Sequence, residues 1–187
     1  AELEQSIWHA PGKFNVETGE RLSGKSVHKY KYQEIFGETI TELARTNPKI
    51  VGITPAMASG CSLNIMMREF SDRTFDVGIA EEHATTFAAG MAAAGMIPCF
   101  AVYSTFLQRA YDSIVHDVAL QGLPVRILVD RAGLSYGDGA THHGIFDVAF
   151  LSHIPDITIL SPISNAALRS AVKFASEADF PIAVRYP

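Results

Sequence analysis

The chain has 187 residues, of which 48% are hydrophobic and 19% are charged. This length and composition suit a globular chain with a sizeable core and exclude an intrinsically disordered one. The formal net charge is −5 at pH 7 and no block of like charge stands out, so we expect neither a nucleic-acid partner nor a membrane surface.

The first predicted element is an extended arm over residues 1–31. This stretch shows no sustained period of two or 3.6 residues, and Gly12, Gly19 and Gly24 interrupt its mixed polar sequence. We therefore expect residues 1–31 to form an arm or interdomain linker and residues 32–187 to form one folded domain.

Helical and strand-like patterns alternate through the rest of the chain. The predicted helices cover residues 32–45, 63–70, 82–94, 105–120 and 165–176. The predicted strands cover residues 50–53, 75–79, 99–103, 125–130, 157–160 and 182–185. Apolar strands separated by helices indicate a parallel sheet that is covered on both faces, because parallel strands need crossover connections. The predicted fold class is α/β, a doubly wound and mostly parallel sheet of about six strands with helices on both faces.

Polar side chains follow several of these strands. Glu81, Tyr103 and Arg131 fall at or just after predicted strand ends. Doubly wound sheets bind their ligands at the carboxyl ends of the strands. These residues therefore predict a site at that edge of the sheet. The loop over residues 131–144 exceeds the usual connection of about 2 to 6 residues, which is typical of functional or disordered loops.

Residues 19–26 match the P-loop pattern in the order Gly-Glu-Arg-Leu-Ser-Gly-Lys-Ser. A phosphate cradle needs a buried strand before the glycine loop, and residues 14–18 do not have the apolar character of one. A nucleotide hydrolase is therefore only a distant alternative.

Gly137, Asp138 and Gly139, followed by Asn165, resemble the pattern that holds magnesium and diphosphate in thiamine diphosphate enzymes. That pattern begins at the end of a buried strand, whereas these glycines lie inside a predicted loop. Asn165 instead suits the start of a helix. We interpret the match as coincidental and predict no metal ligands in this chain.

Glu81 lies where a predicted strand meets the start of a helix. A lone carboxylate there could simply favour the helix N-terminus electrostatically. The helix that follows is rich in alanine and glycine and suits close packing, in which a carboxyl group could share a proton.

Phe106 could belong to an ordinary core stripe. Arg109 could be solvated, or it could bind an anion together with Tyr103.

Several segments, in order along the chain, resemble the 1-deoxy-D-xylulose-5-phosphate synthase family of transketolase-like enzymes. They are residues 76–90 (DVGIAEEHATTFAAG), 103–112 (YSTFLQRAYD), 130–134 (DRAGL), 138–142 (DGATH) and 183–187 (AVRYP). The resemblance implies the central pyrimidine-binding domain of a transferase that condenses pyruvate with D-glyceraldehyde 3-phosphate and releases CO2. Its product would serve the isoprenoid precursor, thiamine and pyridoxal pathways.

The same resemblance implies the cofactors and partners. Thiamine diphosphate and Mg²⁺ would be needed, and the diphosphate and Mg²⁺ would be held mainly by the N-terminal domain of the same enzyme. This chain would then contain half of the cofactor site, would be inactive alone and would work within a homodimer.

Individual residues match family positions. Glu81 matches the glutamate that contacts the pyrimidine N1′, where sharing a proton favours the reactive tautomer. Phe106 matches the aromatic residue that stacks on the aminopyrimidine. The resemblance implies cofactor-binding Glu81, Phe106 and Tyr103, substrate-binding Tyr103, Arg109, Arg131, Arg185, Asp138 and His142, and catalytic Glu81, His9, His142 and Asp138. Arg131 and Arg185 would lie near the acceptor phosphate, and His9 would reach the site from the end of the preceding domain.

Two other readings stay open. The chain could be the pyrimidine domain of another transketolase-like enzyme or of a ketoacid dehydrogenase subunit. It could also be a non-catalytic α/β module in which residues 131–144 bind a ligand.

Cys61 and Cys99 are far apart and form no metal-binding motif, and we expect both thiols to be reduced and buried. Without a signal-like start or a long apolar run, we expect a cytoplasmic protein.

Overall fold

A computed structural model describes residues 12–22, 31–135 and 138–187. Its centre is a sheet of six strands in the order β2-β1-β3-β4-β6-β5, and every neighbouring pair is parallel. The strands are β1 (Ile50–Thr54), β2 (Thr74–Asp76), β3 (Ile97–Tyr103), β4 (Arg126–Asp130), β5 (Thr158–Leu160) and β6 (Ile182–Arg185). The predicted doubly wound parallel sheet is confirmed.

Helices cover the sheet in two groups. The α-helices are α1 (Tyr32–Thr46), α2 (Asn64–Glu69), α3 (Glu81–Ala93), α4 (Ser104–Leu107), α5 (Tyr111–Ser113), α6 (Asp147–Leu151) and α7 (Asn165–Glu177). Helix α1 packs against α2 and α7, whereas α3 packs against α5 and the residues that follow it. None of the helices in the described part of the chain is long and apolar enough to cross a membrane.

The central strands are buried from end to end. Every residue of β1 and of β4 is buried, as expected for strands that are covered on both faces. The apolar side chains of α1, such as Phe36 and Ile40, and of α7, such as Leu168, complete the core and have no exposed area. Cys61 and Cys99 are both buried and unpaired, as predicted.

Two arginines, Arg126, which is buried, and Arg73, which is half-buried, donate hydrogen bonds to carbonyl groups at the ends of two helices. The last carbonyl groups of a helix have no partner within the helix. The Arg126 guanidinium donates to the carbonyl of Ala175 at 2.9 Å and to that of Ala178 at the end of α7. Arg73 donates to the carbonyl of Ala44 at 3.2 Å at the end of α1. Both helices are thereby fixed to the amino ends of the strands, since Arg126 begins β4 and Arg73 directly precedes β2.

Two predicted elements differ from the observed ones, and one observed helix has no predicted counterpart. The strand predicted over 75–79 ends at Asp76, because its Oδ1 accepts hydrogen bonds from the N–H of Ala56 at 2.7 Å and of Gly78 at 3.1 Å and so turns the chain. The helix predicted over 105–120 is broken by a 3-10 turn at Gln108–Ala110 and a π-helical stretch at Ile114–Ala119. Helix α6 was not predicted, because five residues are too few to show a helical period.

The strand order creates a crevice at one edge of the sheet. The chain passes from β1 to β2 on one side and later returns to β3 on the other side of β1. Loops that leave the carboxyl ends of β1 and β3 therefore diverge, and ligands of doubly wound sheets bind at such a point. Tyr103 ends β3, Arg131 directly follows β4 and Glu81 lies in the connection that leaves β2, so all three belong to the carboxyl ends of the strands.

Candidate functional site

Glu81 is the first residue of α3 and has only 2% of its surface exposed. The turn after β2 delivers it there, with Gly78 at a φ of 74° that favours glycine. Alanines at positions 84 and 88 follow on the buried face of the helix. A buried carboxylate needs a charged or hydrogen-bonding partner, and Arg109 provides one.

Arg109 joins Glu81 to Phe106. Its Nη1 lies 2.8 Å from Oε1 of Glu81, and its guanidinium carbon lies 5.0 Å from the centroid of the Phe106 ring. The 3-10 turn at Gln108–Ala110 directs Arg109 away from the core stripe, and 47% of its side chain is exposed. Phe106 is half-buried: it packs against the hydrophobic core and keeps part of its surface exposed.

Phe106 lies at the centre of an aromatic group. Its ring stacks on Tyr103 with the centroids 6.0 Å apart, and it meets the His142 ring edge-on at 5.4 Å. The loop that carries His142 is held nearby, because the Thr105 hydroxyl donates to the carbonyl of Thr141 at 3.1 Å. An aromatic face bordered by an imidazole and a guanidinium can hold a flat heteroaromatic ring.

Tyr103 ends β3 and contacts Arg131, which follows β4. The Arg131 guanidinium carbon lies 4.1 Å from the centroid of the Tyr103 ring, and the guanidinium forms an ion pair with Asp138. Burial raises the pKa of Tyr103, and the positive charge of Arg131 opposes this effect. Gly60 permits the close approach of the loop after β1, because a Cβ there would collide with the Tyr103 hydroxyl.

The predicted site residues thus form one continuous path of contacts. It runs through Glu81, Arg109, Phe106, Tyr103, Arg131 and Asp138, and His142 joins it at Phe106. Several side chains that could bind anions lie along it, and their partners here are carboxylates of the same chain. An incoming anion would exchange with those carboxylates.

Arg185 lies apart from this path. Its Nε donates to the Asp147 carboxylate at 2.7 Å and its Nη1 donates to the Ser161 hydroxyl at 3.2 Å. Asp147 has 1% of its surface exposed, so this ion pair fixes α6 against the end of β6. Arg185 belongs to the same edge of the sheet as Arg131, because its neighbour across the strands is Val129.

Arg109 and Tyr103 have different partners in the structure. The sequence left open whether Arg109 is solvated or binds an anion together with Tyr103; here Arg109 pairs with Glu81, and Arg131 lies over Tyr103. The reason is geometric, since β3 and β4 are adjacent and end together at Tyr103 and Asp130. His9, Gly137 and the end of the P-loop match lie outside the described residues.

A buried polar cluster beneath Arg131 was missed by the sequence reasoning. Asp130 and Tyr186 are each 1% exposed, and the Asp130 Oδ2 and Tyr186 hydroxyl have no hydrogen-bond partner among the described residues. Burial raises the pKa of Asp130 from 3.8 to about 7, an effect that the hydrogen bond from the Arg131 N–H opposes. Burial also raises the pKa of the neighbouring Cys61 thiol. The sequence feature that could have indicated this cluster is an aspartate, Asp130, at the end of an otherwise apolar strand.

One groove lies outside the path of predicted site residues. A groove of about 450 Å³ is lined by Gln108, Tyr111, Phe146, Ala149, Phe150 and His153. None of these belongs to the path of predicted site residues. Within residues 12–22, 31–135 and 138–187, no group of three or more His, Cys, Asp or Glu side chains could hold a metal ion.

Residues 28–187 match the family model described as transketolase, pyrimidine binding domain. The chain is 53% identical over its full length to the 1-deoxy-D-xylulose-5-phosphate synthase of Parabacteroides distasonis and 51% identical to 1-deoxy-D-xylulose-5-phosphate synthase 1 of Geobacter sulfurreducens. It spans 30% and 29% of the lengths of these relatives.

Solved structures share the fold. A split-gene transketolase, described as an inactive beta4 tetramer, matches with a TM-score of 0.73 and 30% identity over 82% of this chain and 50% of its own. The transketolase of Campylobacter jejuni matches with a TM-score of 0.75 and 19% identity over 82% of this chain and 25% of its own. The second likeness concerns the fold alone.

Proposed function

Because the chain belongs to the transketolase pyrimidine-binding domain family, we propose that it is the central domain of a 1-deoxy-D-xylulose-5-phosphate synthase. The observation that carries the proposal is the path of contacts from the buried carboxylate of Glu81, through Phe106, to Arg131. It contains an acid, an aromatic platform and a cation in series. In this proposal residues 1–31 are an arm and residues 32–187 are the pyrimidine-binding unit.

The residues fit the pyrimidine half of thiamine diphosphate. Glu81 is 2% exposed and its Oε1 is engaged by a half-exposed arginine, so the carboxylate can exchange that partner for a ring nitrogen. Phe106 offers a half-buried ring beside it. When bound, the cofactor supplies a nucleophilic thiazolium carbon. Glu81 holds a proton at the pyrimidine N1′, and Phe106 orients the aminopyrimidine ring by stacking.

The other end of the path suits the substrates, pyruvate and D-glyceraldehyde 3-phosphate. Arg131 is a cation that can bind an acceptor phosphate with two parallel hydrogen bonds once it leaves Asp138. Arg185 adds a second guanidinium at the same edge of the sheet. His142 and Asp138 lie on the loop between these groups and can transfer protons near the reacting carbons, and His9 would join them from the arm.

The diphosphate and Mg²⁺ belong to another domain in this account. No acidic cluster in the described part of the chain could bind a metal, and Asp138 is engaged by Arg131. Ser164, rather than Asn165, caps α7 by accepting from the N–H of Ala167 at 3.2 Å. We therefore propose that the preceding domain of the same enzyme completes the site, within a homodimer.

Calorimetric titration tests this division of the site. Thiamine diphosphate with Mg²⁺ is titrated into this chain alone and then into the chain mixed with the diphosphate-binding domain. Binding only in the mixture is expected. Magnesium-dependent binding to the chain alone would contradict the division, because residues 137–139 and Asn165 would then form a diphosphate site. Activity of the complete enzyme with glyceraldehyde 3-phosphate, compared with other acceptors, tests the reaction itself.

A further inference from the structure

Arg131 has an unusual backbone conformation. Its φ is 54°, in the left-handed region that residues with a side chain seldom adopt. Such conformations persist only where the surrounding structure holds them, and they concentrate at functional sites. In this conformation the Arg131 guanidinium carbon lies over the Tyr103 ring, 4.1 Å from its centroid.

Three contacts hold the turn at Arg131. The Asp130 Oδ1 accepts from the N–H of Arg131 at 2.8 Å. The next N–H, of Ala132, donates to the carbonyl of Tyr186 at 2.9 Å. Gly144 lies against the turn, and a side chain there would collide with the Arg131 carbonyl. Of these contacts, only the one from Asp130 is made by a side chain, and it acts on the strained residue itself.

Apart from the Arg131 N–H, Asp130 interacts with a weak donor, the Cys61 thiol. Asp130 has 1% of its surface exposed, and its Oδ2 has no hydrogen-bond partner among the described residues. The groups that face it are Arg131, the Cys61 thiol and the Tyr186 hydroxyl. A buried carboxylate with one unpaired oxygen is unfavourable for folding, and an apolar residue would suit the end of this buried strand better.

We propose that Asp130 is a positioning residue for the acceptor-phosphate site, which holds Arg131 in the conformation that presents its guanidinium to the phosphate. The inference rests on the proposed function, because it assigns the phosphate of the acceptor to Arg131. It predicts that Asp130 acts on phosphate recognition and leaves the pyruvate and cofactor ends of the site unchanged.

The test uses the complete enzyme and two variants. In Asp130→Leu the side chain branches at the same carbon as aspartate but has no oxygen that could accept a hydrogen bond. In Asp130→Asn one oxygen remains and can accept from the N–H of Arg131. For Asp130→Leu, the KM for D-glyceraldehyde 3-phosphate should rise at least about tenfold, as should the inhibition constant of inorganic phosphate as a competitor. The KM values for unphosphorylated D-glyceraldehyde and for pyruvate should change less than about twofold. Asp130→Asn should keep the phosphate preference within about threefold of the wild type.

The outcomes separate the inference from the function it rests on. An equal loss with phosphorylated and unphosphorylated acceptors would overturn the inference, as would an unchanged inhibition constant for phosphate. A wild-type enzyme that does not condense pyruvate with the phosphorylated acceptor would instead contradict the proposed function. If Asp130→Leu does not fold, Asp130→Ala is measured in the same way. Hydrogen exchange at the Arg131 amide of the wild type adds a further check, because an unprotected amide would rule out the hydrogen bond on which the inference depends.

Discussion

The buried carboxyl group of Asp130 makes the stability of this chain depend on pH in a direction that a surface aspartate would not produce. Burial raises its pKa from 3.8 to about 7. As the pH rises above about 4, the unfolded chain releases this proton while the folded chain keeps it, so the unfolded state binds fewer protons. The free energy of unfolding therefore falls between about pH 4 and pH 7 and levels off above that range.

The magnitude follows from the difference between the two pKa values. It is about three pKa units, and each unit corresponds to about 1.4 kcal/mol, which gives about 4 kcal/mol. Asp130→Asn removes the titration and keeps the shape of the side chain. The free energies of unfolding of the variant and the wild type should differ by less than about 1 kcal/mol at pH 4.5. At pH 8 the free energy of unfolding of the variant should be higher by about 4 kcal/mol.

Urea unfolding of the 187-residue chain, followed by circular dichroism from pH 4.5 to pH 8, measures this difference. Subtracting the free energy of unfolding of the wild type from that of the variant at each pH cancels the contributions of the other titrating groups. A difference that stays constant with pH would refute the reasoning. A difference that changes with the opposite sign would mean that Asp130 is stabilised as a carboxylate in the folded chain.

Three other predictions concern packing, helix termini and thiol chemistry. Gly60→Ala should lower the free energy of unfolding by about 1 to 3 kcal/mol in urea titrations, because its Cβ would collide with the Tyr103 hydroxyl, and Tyr103→Phe in the same background should restore part of the loss. Arg126→Met should cost about 2 to 4 kcal/mol in the same assay, since it leaves buried carbonyls at the end of α7 unpaired, and a loss under about 0.5 kcal/mol would contradict that role. Burial raises the pKa of Cys99 to about 12 and also holds the pKa of Cys61 well above its ordinary value. Ellman's reagent should therefore label neither thiol in the native chain and both after unfolding, and rapid labelling of the native chain would contradict the burial.

The fold could be predicted because its signals are local. Apolar runs such as Ile50–Ile53 and Ile182–Arg185 lie close to the observed strands, and their alternation with helices indicates a parallel sheet. The strand order could not be derived in this way, since β6 inserts between β4 and β5 through contacts that are distant in the sequence. The break in the helix predicted over 105–120 was likewise invisible, because its apolar spacing remains helical while the hydrogen bonding changes.

The candidate site could be predicted in its members but not in its pairings. Tyr103 and Arg131 were placed at or just after strand ends, where they are found, whereas the strand before Glu81 ends earlier than predicted and Glu81 begins α3. Their partners depend on which strands are adjacent, and that placed Arg131 rather than Arg109 over Tyr103. The ion pair of Asp147 and Arg185 could not be seen either, because it depends on how the short helix α6 meets the end of β6.

The central claim is that Glu81 shares a proton with the pyrimidine of bound thiamine diphosphate. The most direct test is the rate at which the C2 hydrogen of the bound cofactor exchanges with D2O in the complete enzyme. Glu81→Gln should slow the exchange by at least about 100-fold while the cofactor stays bound, and Glu82→Gln, at the exposed neighbouring position, should leave it unchanged. Exchange at the wild-type rate in Glu81→Gln, with the cofactor bound, would contradict the claim.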